Sequence, residues 1–148
     1  MKTKLQKVLN SFVPGLELIH FEPLTGGVSS EVFLIEAKQN KTKIKLVLRY
    51  EGGMPSKIDI TNEFNLLQAL ANTNIPSVEP LFIDTSCKIL DKPFMLLSFM
   101  EGDIIIPNTD NLDLITKMAD QLRCIHSINP ALLPDLPIQI DPIEGLLK

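Results

Sequence analysis

Five small residues crowd one turn of this chain: Thr25, Gly26, Gly27, Ser29 and Ser30, within "PLTGGVSSEVFLIE". Two glycines are enough to turn a chain, so the excess suggests that something must come close to the backbone. A polyphosphate fits that description, because backbone N–H groups reach phosphate oxygens only where side chains leave room. In that role the turn covers the phosphates and Val32 packs on a purine ring. A plain hairpin turn is the competing reading of the same residues. Further on, Arg49 ends the alternation of "KLVLR" and points to the same face as Val47. Glu63 follows at the edge of an apolar helical face, beside Leu67 and Leu70. A strand cation paired with a helix carboxylate is held rigidly enough to hold a phosphate in turn, whereas each alone reads as an ordinary surface charge. Last, "PFMLLSFMEGD" ends in a glycine-containing connection. There the backbone of Ser98 and Met100 could meet the edge of an adenine, or a buried strand could simply reach the surface.

These residues need elements to position them. Leu5, Val8, Leu9 and Phe12 recur at helical spacing, and Pro14-Gly15 ends that helix. The runs "LELIHFEPL" and "EVFLIEA" flank the small-residue turn as two strands. In a third, "KIKLVLRY", Ile44, Leu46 and Leu48 alternate with Lys45, Val47 and Arg49. The period changes from about residue 58 to 72, where Ile60, Phe64, Leu67 and Ala71 make one helical face that Asp59 or Ser56 could cap. Pro76 and Pro80 end it. "PLFIDTS" and "KPFMLLSFM" supply two more strands. A last helix is expected from about 111 to 128, with Leu112, Ile115, Ala119, Leu122 and Ile125 on one side. The order predicts an α+β fold: a five-stranded antiparallel sheet with one packed helix, then a hinge and a further helix. It argues against a parallel βαβ layout, and the Gly-Gly turn lacks the G-x-G-x-x-G spacing of a dinucleotide site.

At 148 residues, with 45% hydrophobic and 22% charged residues, the chain is a globular domain of ordinary size. A net charge of −4 and the absence of any basic stripe argue against nucleic-acid binding. Cys87 and Cys124 show no metal-site spacing and fit a reducing compartment. "MKTKLQKVLNSF" lacks the apolar segment of a signal peptide, and "PFMLLSFM" is too short to span a bilayer. A cytoplasmic protein without membrane partners is expected.

The ordered set "LTGGVSSEVFLI", "KLVLR", "NEFNLLQAL", "IPSVEPLFID" and "PFMLLSFMEGD" resembles the N-terminal lobe of the aminoglycoside phosphotransferase and choline kinase-like family, a branch of the protein-kinase-like fold. "ADQLRCIHSI" resembles the first helix beyond the hinge, so the likeness runs from about residue 18 to 128. It implies a nucleotide-binding lobe over residues 1–102 and the start of a second lobe over 103–148. Thr25, Gly26, Gly27, Ser29 and Ser30 would form the phosphate-covering loop, with Val32 and Val47 against the adenine. Arg49 would stand where kinases usually carry Lys, and the two are not interchangeable. Glu63 would be its helix partner, and the Ser98 carbonyl and Met100 amide the hinge contacts. The implied reaction is transfer of the γ-phosphoryl group of ATP, or of GTP, with Mg²⁺, to a small-molecule hydroxyl.

One expected part is missing from the sequence. The resemblance calls for an Asp base and a magnesium-binding Asn in an H-x-D-type loop, then a second metal-binding Asp. Neither histidine opens such a loop: His20 precedes Phe21-Glu22 and His126 precedes Ser127-Ile128. Asp135 and Asp141 lie among Pro130, Pro134, Pro137 and Pro142, without the expected context. The expectation is a truncated phosphotransferase, inactive alone, whose metal ligands belong to a lobe it lacks. A non-catalytic lobe-like module for protein interaction is the alternative. The last helix is expected to expose part of its apolar stripe and to favour self-association.

Overall fold

The computed structural model describes residues 1–24, 30–51, 59–102 and 112–133. Among these residues five strands and three α-helices follow one another as α1 (Lys2–Phe12), β1 (Glu17–Pro23), β2 (Ser30–Gln39), β3 (Thr42–Glu51), α2 (Ile60–Leu70), β4 (Pro80–Asp84), β5 (Phe94–Ser98) and α3 (Leu112–His126), with a short 3-10 turn at Pro130–Leu132. All strand pairs are antiparallel, in the order β1-β2-β3-β5-β4. The longest pairing, β2 with β3, runs unbroken from Gln39↔Thr42 to Ser30↔Glu51. It closes through Asn40-Lys41, with Asn40 at φ 57, a left-handed conformation that Asn tolerates better than most residues. Gly15, at φ 83, makes the corresponding turn between α1 and β1.

The sheet is covered on both faces. Strand parity places Phe33, Ile35 and Ala37 of β2, Leu46 and Leu48 of β3, and Phe94 and Leu96 of β5 on one side. Against them α1 packs Leu5, Val8 and Leu9, all fully buried. The sequence pattern located this helix without assigning it a face. On the other side Ile60 and Phe64 of α2 pack on Met95 and Leu97, with Val47, Leu67, Val78 and Ile83 at the margin. Both faces of β5 are therefore apolar, and Phe94 through Leu97 are all buried. Leu90, from the connection between β4 and β5, adds a loop residue to the α1 side of the core.

Helix α2 starts at Asp59, whose carboxylate accepts a hydrogen bond from the Thr61 amide at 3.1 Å. Ser56, the other candidate cap, lies outside the described residues. Replacing Asp59 with Ala should destabilise the protein by about 1 kcal/mol, the usual worth of such a cap. A melting temperature lower by roughly 3 °C would show it; an unchanged one would mean that packing of Ile60 and Phe64 alone sets the helix start.

Candidate functional site

Arg49 lies in the middle of the sheet, between its cross-strand partners Val32 of β2 and Met95 of β5. It faces the α2 side with Val47. Glu63 is in the first turn of α2, beside the inward stripe that Ile60, Phe64 and Leu67 form. Burial of Phe64 fixes the rotation of the helix, and that rotation turns Glu63 toward the strand. The Arg49 guanidinium Nη1 donates to the Glu63 carboxylate Oε2, and both side chains are mostly shielded, at 22% and 30% exposure. The strand cation and helix carboxylate anticipated from the sequence are thus in direct contact.

α2 packs mainly on the β5–β4 half of this face, with Val47 at its margin. On the β2–β3 half, Val32 and Val47 remain half-buried and form an apolar strip that runs down the sheet from Arg49. Lys45 stands at its far end, four residues or about 13 Å from Arg49 along the strand. The Lys45 ammonium is 3.4 Å from Glu101 and 5.0 Å from the centroid of the Phe99 ring. Together with Glu36, Lys43 and Ile44 these residues line a cleft of about 490 Å³ at the exit of β5. The site therefore has a cationic end shared with a carboxylate, an apolar floor, and a mixed-charge end beside the segment that leaves the sheet.

Of the other anticipated residues, Thr25, Gly26, Gly27 and Ser29 lie outside the described residues, and Ser30 opens β2. Ser98 ends β5. Its amide donates to the Glu79 carbonyl at 2.9 Å and its hydroxyl accepts from the Glu79 amide at 2.8 Å. Ser98 thereby fixes the chain just before β4 against the exit of β5. Met100 is 54% exposed in the segment that follows. His20 and His126 are both exposed, the latter at the end of α3. Among the described residues no group of three or more His, Cys, Asp or Glu could hold a metal ion, and Cys87 and Cys124 are free thiols. Sequence reasoning did not find the Lys45, Phe99 and Glu101 group. Strand parity does place Lys45 on the Val47 face, but its pairing with a residue so far along the chain has no local signature.

This arrangement of a sheet, one α2-type helix bearing a carboxylate and an exit segment after β5 is that of a kinase-like N-terminal lobe. The crystal structure of a candidate aminoglycoside phosphotransferase from Ralstonia eutropha JMP134 superposes on it with a TM-score of 0.63 at 17% identity. The likeness covers 89% of this chain and 40% of the other, so this chain spans less than half the length of that protein. At that identity it shows the fold. No curated protein matches. The sequence profile of the phosphotransferase enzyme family matches residues 20–144. The chain belongs to that family.

Proposed function

We propose that this chain is the nucleotide-binding lobe of a small-molecule phosphotransferase that uses ATP, or GTP, with Mg²⁺. The observation that carries the reading is the Arg49–Glu63 pair at the head of the open Val32–Val47 strip. A guanidinium presents its N–H donors in a planar fork that suits phosphate oxygens as well as a carboxylate, and the strip offers a purine an apolar floor. In this reading residues 25–30 cover the phosphates from the β1–β2 turn, and the Ser98 carbonyl and Met100 amide meet the base edge. Residues 1–102 form the lobe and 103–148 begin the next one. The described residues supply no metal cluster and the sequence has no H-x-D loop. On this reading the chain binds nucleotide with its Mg²⁺ but does not by itself transfer the phosphoryl group. Equilibrium titration with a fluorescent MgADP or MgATP analogue tests this, with thermal stabilisation as a second readout. Saturable binding reversed by unlabelled nucleotide is expected; a folded chain that shows none at millimolar nucleotide refutes the reading.

A second reading, a lobe-like module that works through protein contact, is favoured by α3. Ile115, Met118, Leu122 and Ile125 are 49% to 60% exposed along one side of that helix. Their spacing of three, four and three residues is that of a helix-pairing seam. On this reading the chain associates with itself through α3. Sedimentation should show a concentration-dependent dimer that Leu122→Glu converts to monomer. A strict monomer at high concentration would remove the support that α3 gives. The stripe does not bear on nucleotide binding, so the two readings are tested separately. No helix among the described residues is long and apolar enough to cross a membrane.

A further inference from the structure

Behind Arg49, on the α1 side of the sheet, lies a cluster that the nucleotide site does not use. Glu31 and Tyr50 are cross-strand partners on the rung next to Val32 and Arg49. Alternation along each strand therefore puts their side chains on the opposite face. The Tyr50 hydroxyl donates to Glu31 Oε2 at 2.6 Å. Phe33 stacks on the Tyr50 ring, with centroids 5.8 Å apart and planes 6° from parallel. Lys92, from the β4–β5 connection, stands 3.7 Å from Glu31 Oε1 and 5.7 Å from the centroid of the Tyr50 ring. Its neighbour Asp91 accepts from Lys4 of α1 at 2.8 Å. Two strands, a loop and a helix are thus joined at one point, around a small cavity of about 210 Å³. Burial and then the Glu31 carboxylate push the Tyr50 phenol up to about 12.

The location gives the cluster its meaning. Only the Ser30↔Glu51 rung lies beyond Glu31↔Tyr50 at this end of the β2–β3 ribbon. Beyond it the chain leads into the small-residue turn on one side and toward α2 on the other. Strand ends open first, and here the end carries the residues on which phosphate binding would depend. A charge-assisted phenol–carboxylate bond, stacked on one ring and held by a lysine from a different strand pair, resists that opening. We propose that Glu31, Tyr50 and Lys92 are positioning residues for Arg49: clamped from behind, the last rungs of the ribbon hold the guanidinium in register with Glu63 and with the phosphates of a bound nucleotide. The part concerning nucleotide rests on the function proposed above; the part concerning Arg49 does not.

The experiment keeps those parts apart. The order of the Arg49 Nε–Hε group is measured by ¹⁵N relaxation without nucleotide in the wild type, Glu31→Gln, Lys92→Met and Lys92→Arg. MgADP affinity is then titrated in each. Glu31→Gln and Lys92→Met are expected to lower Arg49 order and to weaken MgADP binding by about three- to tenfold, the size of coupling between linked sites; Lys92→Arg should restore both. Tyr50 is the only tyrosine and there is no tryptophan, so phenolate absorbance reports on this cluster alone. In Glu31→Gln its midpoint should move down from about 12. Unchanged far-ultraviolet circular dichroism confirms that each variant is folded, and Tyr50→Phe, which keeps the ring stack, serves as a second variant. Unchanged Arg49 order overturns the proposal, whatever the affinities show. Lowered order with no MgADP binding by any form supports the clamp and overturns the nucleotide reading instead.

Discussion

Arg49→Met is expected to weaken MgADP binding by about ten- to a hundredfold, the range that corresponds to losing one hydrogen bond to a charged group. The size follows from the partner. Arg49 is held by Glu63 with only 22% of its side chain exposed, so little conformational freedom remains to be lost when a phosphate arrives. Arg49→Lys should recover part of the loss, since an ammonium still meets phosphate as a point charge but cannot bridge a carboxylate and a phosphate with a planar fork. Stability should change far less. The Glu63 carboxylate is 30% exposed, can take up water once its partner is gone, and costs about 1 kcal/mol at most. A fall in melting temperature of about 3 °C beside a large fall in affinity would separate binding from folding. Unchanged affinity in a folded Arg49→Met protein would mean that the Arg49–Glu63 pair only braces α2 against the sheet.

That pair was legible because two periodicities converge on it. The alternation in "KLVLR" assigns Arg49 to the Val47 face, and the helical phase of Ile60, Phe64 and Leu67 puts Glu63 at the edge of the inward side. The structure joins them because Phe64 is buried against Met95 and Leu97. The element types were readable for the same reason, since β2 and β3 alternate and α2 does not. What could not be read was the covering of both faces. In β5, Phe94 to Leu97 is a continuous apolar run, and a run of that kind carries no parity. It leaves unspecified which side α1 takes and that Leu90 enters the core from a loop. The Lys45–Glu101 contact was hidden for a different reason: two exposed charges separated by an intervening helix and two strands look like any other pair of surface charges. Val32 and Val47 share the Arg49 face of the sheet, while Thr25 to Ser29 fall outside the described residues.

The same double burial makes β5 the place where a single change should do the most damage. Phe94 is fully buried, and its ring lies 6.1 Å from Phe82, which in turn lies 6.2 Å from Phe12 of α1. This aromatic row joins β5, β4 and the N-terminal helix. Truncation to Ala removes its centre, and neighbours on three different elements cannot all collapse into the gap. A loss of about 3–5 kcal/mol is expected, a large share of the 5–15 kcal/mol typical of a folded domain. The melting temperature should fall by roughly 10 °C. Phe94→Leu, which keeps most of the volume, should cost under about 1.5 kcal/mol. Met95→Ala makes the informative contrast. Met95 is equally buried but faces α2, and it is the cross-strand neighbour of Arg49. Its truncation should cost about 2–5 kcal/mol and, unlike Phe94→Ala, should also loosen the seating of Phe64 and with it the position of Glu63. Measured at a temperature where both variants remain folded, Met95→Ala should weaken nucleotide binding more than Phe94→Ala, whose cross-strand partner Tyr50 belongs to the cluster behind Arg49. Equal weakening by both would show that the site senses global stability more than the packing beneath α2.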